Sequence, residues 1–335
     1  MRAAVYHGRL DVRVEDVPEP TGQEGHALVA VSRCALCGTD ASEYAKGPTL
    51  LPAGRPTVLG HEFVGTVVGG STRVPVGTRV VSGAGVSCGS CRRCRQGRTN
   101  LCLSYSTLGL TRDGGLAELV SVPERTLQVV PDDLPDELAV LAQPLAVGLH
   151  AVRRAAPAPG DTVVLLGAGA IGTFVLLGLL DREVGRILVA DVSADALATL
   201  RALGDVETCL ADDVADAVRD TTDGLGADLV IEASGSRGSL ATAVGLAARG
   251  GRVQAVGLPA GAQELDVTRM VLAEVDVLTS VAHVCDEDLP EALRVLAARR
   301  PALRTVEVPL EDVVEHGLVA LAERRAEGKV VVSVG

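Results

Sequence analysis

"VVLLGAGAIGTFVLLGLL", residues 163–180, is a run of 18 uncharged residues. That is the lower edge of a membrane-spanning length. A glycine-rich turn breaks its centre, however, and Asp161 and Asp181 bracket it. The stretch therefore predicts a buried strand (TVVLLGAG), a tight turn and a buried helix (AIGTFVLLGLLD), not a membrane span. Gly167, Gly169 and Gly172 form G-x-G-x-x-G at that turn. Alone the motif is weakly informative; between a strand and a helix it has a mechanism. Gly167 permits the turn and Gly169 lets the backbone approach a pyrophosphate. Gly172 lets the helix pack close to the strand, and the helix N-terminus, beginning at Ala170 and Ile171, faces the phosphates. Asp191 ends the next strand, about 20 residues on, where a carboxylate binds the adenosine ribose hydroxyls. It would repel a 2′-phosphate, so NAD is expected over NADP.

The alternation continues outward from this unit. RILVADV reads as a strand and ADALATLRALG as a helix with Ser193 as its N-cap. ADLVIEAS is a strand, SLATAVGLAARG a helix and RVQAVGL a strand. Such a pattern argues for a doubly wound parallel sheet. Toward the N-terminus the texture differs. Short alternating runs (HALVAVSRC, FVGTVVGG, GTRVVSG, LAELVSVPE) broken by Gly and Pro suggest a small, partly closed β-structure. PLAVGLHAVRRA reads as a helix joining the two regions. Beyond them, DEDLPEALRVLAARR is helical and GKVVVSVG is a final strand.

The 335 residues suit roughly two domains. Hydrophobic residues make up 47% and charged residues 22%, as in a globular protein with a real core. The net charge of -12 argues against nucleic acid, which needs a basic surface. Arg92, Arg93, Arg95 and Arg98 are the local exception and read as a solvated loop. The N-terminus, MRAAVYHGRLDVRV, alternates like a strand and lacks the apolar run of a signal peptide. A cytoplasmic protein is expected.

Four of the eight cysteines fall in SCGSCRRCRQGRTNLC, residues 87–102. In a reducing compartment stable disulfides are not expected. A redox pair would explain two of these cysteines and leave two over. Cys88, Cys91, Cys94 and Cys102 follow C-x2-C-x2-C-x7-C, which can converge tetrahedrally on zinc; an iron–sulfur cluster is the minor alternative. The Gly and Arg spacers give the loop nothing apolar to fold around, so a structural metal would supply its stability. Elsewhere, Cys34 reads as a buried small hydrophobe. Cys37 before a glycine, and His61 beside Glu62, read as ligands at a strand edge.

Taken together, CGTD, GHEFVG, the four-cysteine loop, DGGLAELVSVP, QPLAVGLHA and GAGAIG occur in an order and spacing that cover essentially the whole chain. On them the chain resembles the zinc-dependent medium-chain dehydrogenase/reductases, in the branch of sorbitol and butanediol dehydrogenases. The resemblance implies an α/β architecture. A GroES-like β-rich catalytic domain (1–146) would carry the structural zinc lobe, a Rossmann NAD-binding domain (147–282) would follow, and residues 283–335 would return to the first domain. It implies Cys37 and His61 as catalytic zinc ligands, with Glu62 at or beside the metal. Asp40 would hydrogen-bond His61, and Thr39 would carry the proton of the substrate alcohol. It also implies a homodimer or homotetramer. Two positions depart from the family: the acid that precedes PLAV is Gln143, and the histidine five residues after the ligand cysteine is Ser42.

The expected function is hydride transfer between NAD and a secondary alcohol or ketone with catalytic zinc. Ser42, Tyr44 and Lys46 tilt the substrate toward a polyol, cyclitol or hydroxyketone, although each is equally an ordinary surface residue. Two other readings fit the residues. One is an NAD(P)-dependent reductase of the same fold with absent or displaceable catalytic zinc. The other is a non-catalytic dinucleotide-binding protein, against which the joint presence of Cys37, Thr39, His61 and Asp191 argues.

Overall fold

In the strand Thr162–Leu166, Val163 and Leu165 enter one apolar cluster and Val164 and Leu166 another. Period-two alternation with both faces apolar is what a parallel sheet covered by helices on both sides requires. The computed structural model, which describes residues 1–259 and 261–335, has this sheet. Its strands run in the spatial order Glu207–Leu210, Arg186–Asp191, Thr162–Leu166, Ala227–Glu232, Ala247–Ala255 and Asp276–Thr279. All neighbouring pairs are parallel. The chain divides into two compact units: Leu145–Ala282, which holds this sheet, and Met1–Pro144 together with His283–Gly335.

The uncharged run of 163–180 is a strand, a turn and the helix Ala170–Leu179, as expected. No helix among the described residues is long and apolar enough to cross a membrane. Ser193 caps the helix Ala194–Arg201, its side chain accepting the Ala196 N–H. One expected boundary is wrong. The sequence predicts one helix over SLATAVGLAARG, but the helix stops at Leu246 and the chain enters the strand Ala247–Ala255 at once. Ala247 pairs with Ala227, and an irregularity in the register follows before Arg252 meets Leu229. The left-handed Gly250 lies in that irregular stretch, where no helix can continue.

The other unit is built on the ten-residue strand His26–Ala35. Its first half pairs with Leu119–Pro123, most of its length with Glu62–Gly69, and its last residues with Lys329–Ser333. Two register shifts against Glu62–Gly69 let one strand serve these neighbours. The N-terminal run is a hairpin, Arg2–Gly8 with Asp11–Asp16. The helix Cys285–Arg299 forms as expected, with Pro290 in its interior. Its last segment, after a π-helical stretch at Val313–Val319, brings Lys329–Ser333 back beside Cys34 and Ala35. Val29, Phe63, Leu116, Val122, Val330 and Leu318 pack into one apolar core there.

Candidate active site and metal centres

Cys37 follows directly on the His26–Ala35 strand and caps the helix Gly38–Lys46. Asp40, in the first turn of that helix, is fully buried. Its Oδ2 accepts the Cys37 N–H at 2.8 Å, so the carboxylate fixes the backbone of the cysteine. Its Oδ1 faces His61 Nδ1 at 3.6 Å. The Thr39 hydroxyl oxygen lies 3.6 Å from Cys37 Sγ.

His61 is delivered by a glycine that nothing else could replace. Gly60 has φ +94°, and a Cβ there would lie 2.7 Å from both the Leu116 backbone nitrogen and Cys34 Sγ. Cys34 is itself fully buried in the apolar core, as the sequence suggested. The DGG segment packs against the same turn, with the Gly115 N–H donating to the Gly60 carbonyl at 2.8 Å and Val58 N–H to Asp113 Oδ1 at 3.1 Å. The GHEF and DGGL motifs are therefore two halves of one buried turn that aims His61.

One sulfur, one imidazole nitrogen and one carboxylate oxygen from Cys37, His61 and Glu62 lie within 4.8 Å of one another. His61 is 6% exposed and Glu62 2%. Glu62 Oε1 is 4.0 Å from His61 Nε2, the ring nitrogen turned away from Asp40. Burial alone would push the His61 pKa down, but Asp40 and Cys37 outweigh it and hold it well above the usual imidazole range. Three donors of the N, O and S types that zinc prefers thus converge, two of them strong anionic ligands once deprotonated. His61 Nδ1 and Asp40 Oδ1 are both buried without a hydrogen-bond partner. A cation on Nε2 would leave Nδ1 as the donor that Asp40 lacks, so the residues fit a zinc ion.

Sequence reasoning missed Lys329. Its Nζ is 2.6 Å from Glu62 Oε2, and its side chain is only 11% exposed. Burial opposes its charge, yet Glu62, Cys37 and Asp40 prevail and raise its pKa. The one available signal was a lone lysine opening the apolar strand KVVVS, which carries no ligand chemistry of its own. Gln143 is buried on the first turn of the helix Ala142–Ala155. Ser42 and Lys46 are exposed, whereas Tyr44 packs against the core of its unit.

The second cluster has the cage geometry. Ligand atoms of Cys88, Cys91, Cys94 and Cys102 also lie within 4.8 Å of one another. Cys91 Sγ is 3.5 Å and Cys88 Sγ 4.0 Å from Cys94 Sγ. Backbone N–H groups point at the sulfurs: Cys91 to Cys88 at 3.4 Å, Cys88 to Cys102 at 3.2 Å and Ser104 to Cys102 at 3.3 Å. Backbone donors hold the Cys88 thiol down at about 6, while desolvation and the neighbouring thiols push Cys94 up to about 11. Four thiols this close cannot all ionise unless a cation joins them. The turn at Arg92–Arg95 buries no residue, so it adds nothing apolar to hold the loop together. Among the described residues every cysteine is a free thiol.

In the sheet unit, Gly167 has φ +106°, and a Cβ on Gly172 would lie 1.9 Å from the Gly167 carbonyl oxygen. Nothing lies within 4 Å of where a Gly169 Cβ would sit, which leaves the helix N-terminus open to a ligand. Gly169 caps the helix, and Ala170 and Ile171 open it. Asp191 accepts the Ala168 N–H at 2.6 Å and the Ser193 N–H at 2.8 Å, so its carboxylate is tied to the glycine loop itself. Val192 beside it is 84% exposed.

The chain matches two family models. Residues 23–132 match the alcohol dehydrogenase GroES-like domain and residues 170–298 the zinc-binding dehydrogenase domain. The chain is 30% identical to (R,R)-butanediol dehydrogenase of Bacillus subtilis, over 99% of each chain. It is 31% identical to erythritol/L-threitol dehydrogenase of Mycolicibacterium smegmatis, covering 94% of this chain and 90% of that one. A zinc-binding dehydrogenase of Sinorhizobium meliloti bound to NADP superposes with a TM-score of 0.89 at 26% identity, over 99% and 98% of the two chains. The chain belongs to the zinc-binding alcohol dehydrogenase family, and it is an oxidoreductase.

Proposed function

We propose that the protein oxidises a secondary alcohol, or reduces the matching ketone, with NAD as hydride carrier, and that its substrate is a polyol, cyclitol or hydroxyketone. The observation that carries this reading is the convergence of the half-buried Cys37 with the buried His61 and Glu62, with Asp40 behind the imidazole and Thr39 beside the sulfur. Zinc held by these residues supplies Lewis acidity that makes a substrate hydroxyl a readier proton donor. When bound, NAD would supply the acceptor for the carbinol hydride, and Thr39 would take the hydroxyl proton and pass it toward solvent. Alcohol and NAD thus become ketone, NADH and one proton. Asp40 keeps His61 in one tautomer and Cys37 in one backbone position. Gly167, Gly169 and Gly172, with the first turn at Ala170 and Ile171, seat the pyrophosphate. The names of the butanediol and erythritol/threitol relatives support a diol or polyol substrate. Incubation with NAD and a panel of diols, sugar alcohols and cyclitols tests the reading. NADH formation with at least one secondary alcohol is expected, and none with any member would refute it.

The Cys88, Cys91, Cys94 and Cys102 cage holds the structural zinc in this reading. Free thiols throughout suit a reducing, cytoplasmic setting, and the family resemblance suits a homodimer or homotetramer.

Asp191 selects NAD over NADP in this reading, because a 2′-phosphate would meet its carboxylate. Asp191→Gly combined with Val192→Arg removes the repulsion and places a cation on the exposed neighbour. The ratio of kcat/KM for NADP over NAD should rise by about two orders of magnitude, the effect of about 2.7 kcal/mol. A wild-type enzyme that already prefers NADP would contradict the assignment.

In this reading the buried Gln143 stands where the resembled family has a carboxylate of the metal site. A neutral amide leaves the zinc more electrophilic and less firmly held. Gln143→Glu should slow chelator-driven loss of the catalytic zinc and move the pKa of the pH–rate profile upward, since added negative charge makes the substrate hydroxyl less acidic. If neither changes, Gln143 only opens its helix.

A further inference from the structure

The segment 87–112 is charged unlike the rest of the chain. It holds five arginines and no acidic residue, a net of +5. The other 26 basic and 43 acidic residues leave the remainder at -17. Arg92, Arg93, Arg95 and Arg112 are exposed. Their contacts are to neutral groups: Arg93 to Gln96 Oε1 at 3.3 Å, Arg95 to the Ser90 carbonyl at 2.6 Å and Arg112 to Ser106 Oγ at 2.8 Å. Among the described residues none of the five arginines forms an ion pair, whereas Arg33, Arg79, Arg252 and Arg300 each hold a carboxylate at 2.6–2.9 Å.

A complementary surface exists in the same chain. Residues 205–225 carry seven acidic residues against Arg219 alone, a net of -6, and all seven acids are exposed. They lie on or beside the strand Glu207–Leu210, the turn Ala211–Asp213 and the helix Val214–Thr221. The strand is at the edge of its sheet and pairs only with Arg186–Asp191 among the described residues. The helix buries Val214 and Val218 and leaves Asp216 and Asp220 in solvent. Each charged segment also has a strongly exposed leucine, Leu103 at 79% in the basic one and Leu225 at 78% in the acidic one. An apolar side chain among charged neighbours is how a protein interface is composed.

We propose that residues 87–112 dock on residues 205–225 of a second copy of this chain. The inference rests on the homodimer or homotetramer reading and names the surfaces that make the contact. Opposite charges draw the two patches together, and copies related by a two-fold axis make the contact twice. Nucleic acid is the poorer partner. The remainder of the chain, at -17, repels a polyanion, and the one aromatic of the basic segment, Tyr105, packs against Gly85 instead of standing open to a base.

The test is the mass in solution, by light scattering and sedimentation. Wild-type association should weaken between about 0.1 M and about 1 M salt, as electrostatic reach falls from ~10 Å to ~3 Å. Arg92→Glu, Arg93→Glu and Arg95→Glu together should halve the mass at low salt. So should Asp212→Arg, Asp213→Arg and Asp216→Arg together. Mixing the two variants should restore the larger mass, because a reversed lobe then meets a reversed face at both contacts, a result that misfolding cannot give. If the lobe variant loses its cage zinc, the acidic-face variant, which leaves the cage untouched, still tests the contact. Masses unchanged in both variants, or halved in both without recovery on mixing, overturn the proposal and leave the oligomer reading intact. A wild-type monomer at low salt overturns both, and if that monomer binds a duplex DNA probe the partner of the lobe is nucleic acid.

Discussion

His61→Ala abolishes turnover while NAD still binds. The imidazole is one of three convergent donors, and the buried Asp40 faces it. Alanine removes the nitrogen ligand and leaves Asp40 Oδ1 buried with no imidazole to face, while Oδ2 keeps the Cys37 N–H. Lewis-acid polarisation contributes several kcal/mol to such a reaction, and each 1.36 kcal/mol is a factor of ten. A fall in kcat/KM of about a thousandfold or more is therefore expected. Gly167, Gly169, Gly172 and Asp191 all belong to the other compact unit, so the dissociation constant for NADH, read from its fluorescence, should change little. A variant with near wild-type turnover and only the cage zinc would favour a zinc-independent reductase instead.

Cys94→Ser destabilises the protein through the cage and not through the active site. Cys94 Sγ is in contact with two other cage sulfurs, and the helical turn around it buries nothing. With nothing buried at that turn, the loop's order should depend on metal binding. A loss of about 3 kcal/mol, at about 2–4 °C per kcal/mol for a domain of this size, lowers the melting temperature by about 6–12 °C. The measurements are a thermal melt and a zinc count on the same sample. Serine at 94 with full zinc content and an unchanged melt would remove the cage from the account of stability.

The parts of this molecule that were legible in sequence are those where local chemistry and spacing coincide. The GAGAIG turn needed only its flanking apolar runs to be placed between strand and helix, and its three glycines do the separate things expected of them. The cage was legible because four cysteines within 15 residues have few other uses. Cys37, His61 and Glu62 were each unremarkable alone, and the fold brings them together from two strand ends. Lys329 was invisible because its partner lies 267 residues away, as subtraction of the two positions gives, and only strand pairing joins them. The end of the helix at Leu246 is not legible because Ala247 and Ala248 are strong helix formers and poor strand formers, yet they lie in a strand. Cross-strand pairing with Ala227, which no local pattern encodes, decided it.

The most direct test of the metal-dependent dehydrogenase assignment follows NADH formation from a responsive diol while a chelator removes zinc stepwise. Turnover should vanish in step with the first equivalent lost, while the second, in the four-cysteine lobe, and the folded state remain. Full turnover after that first equivalent has gone, or none with both equivalents present, would contradict a catalytic zinc at Cys37, His61 and Glu62.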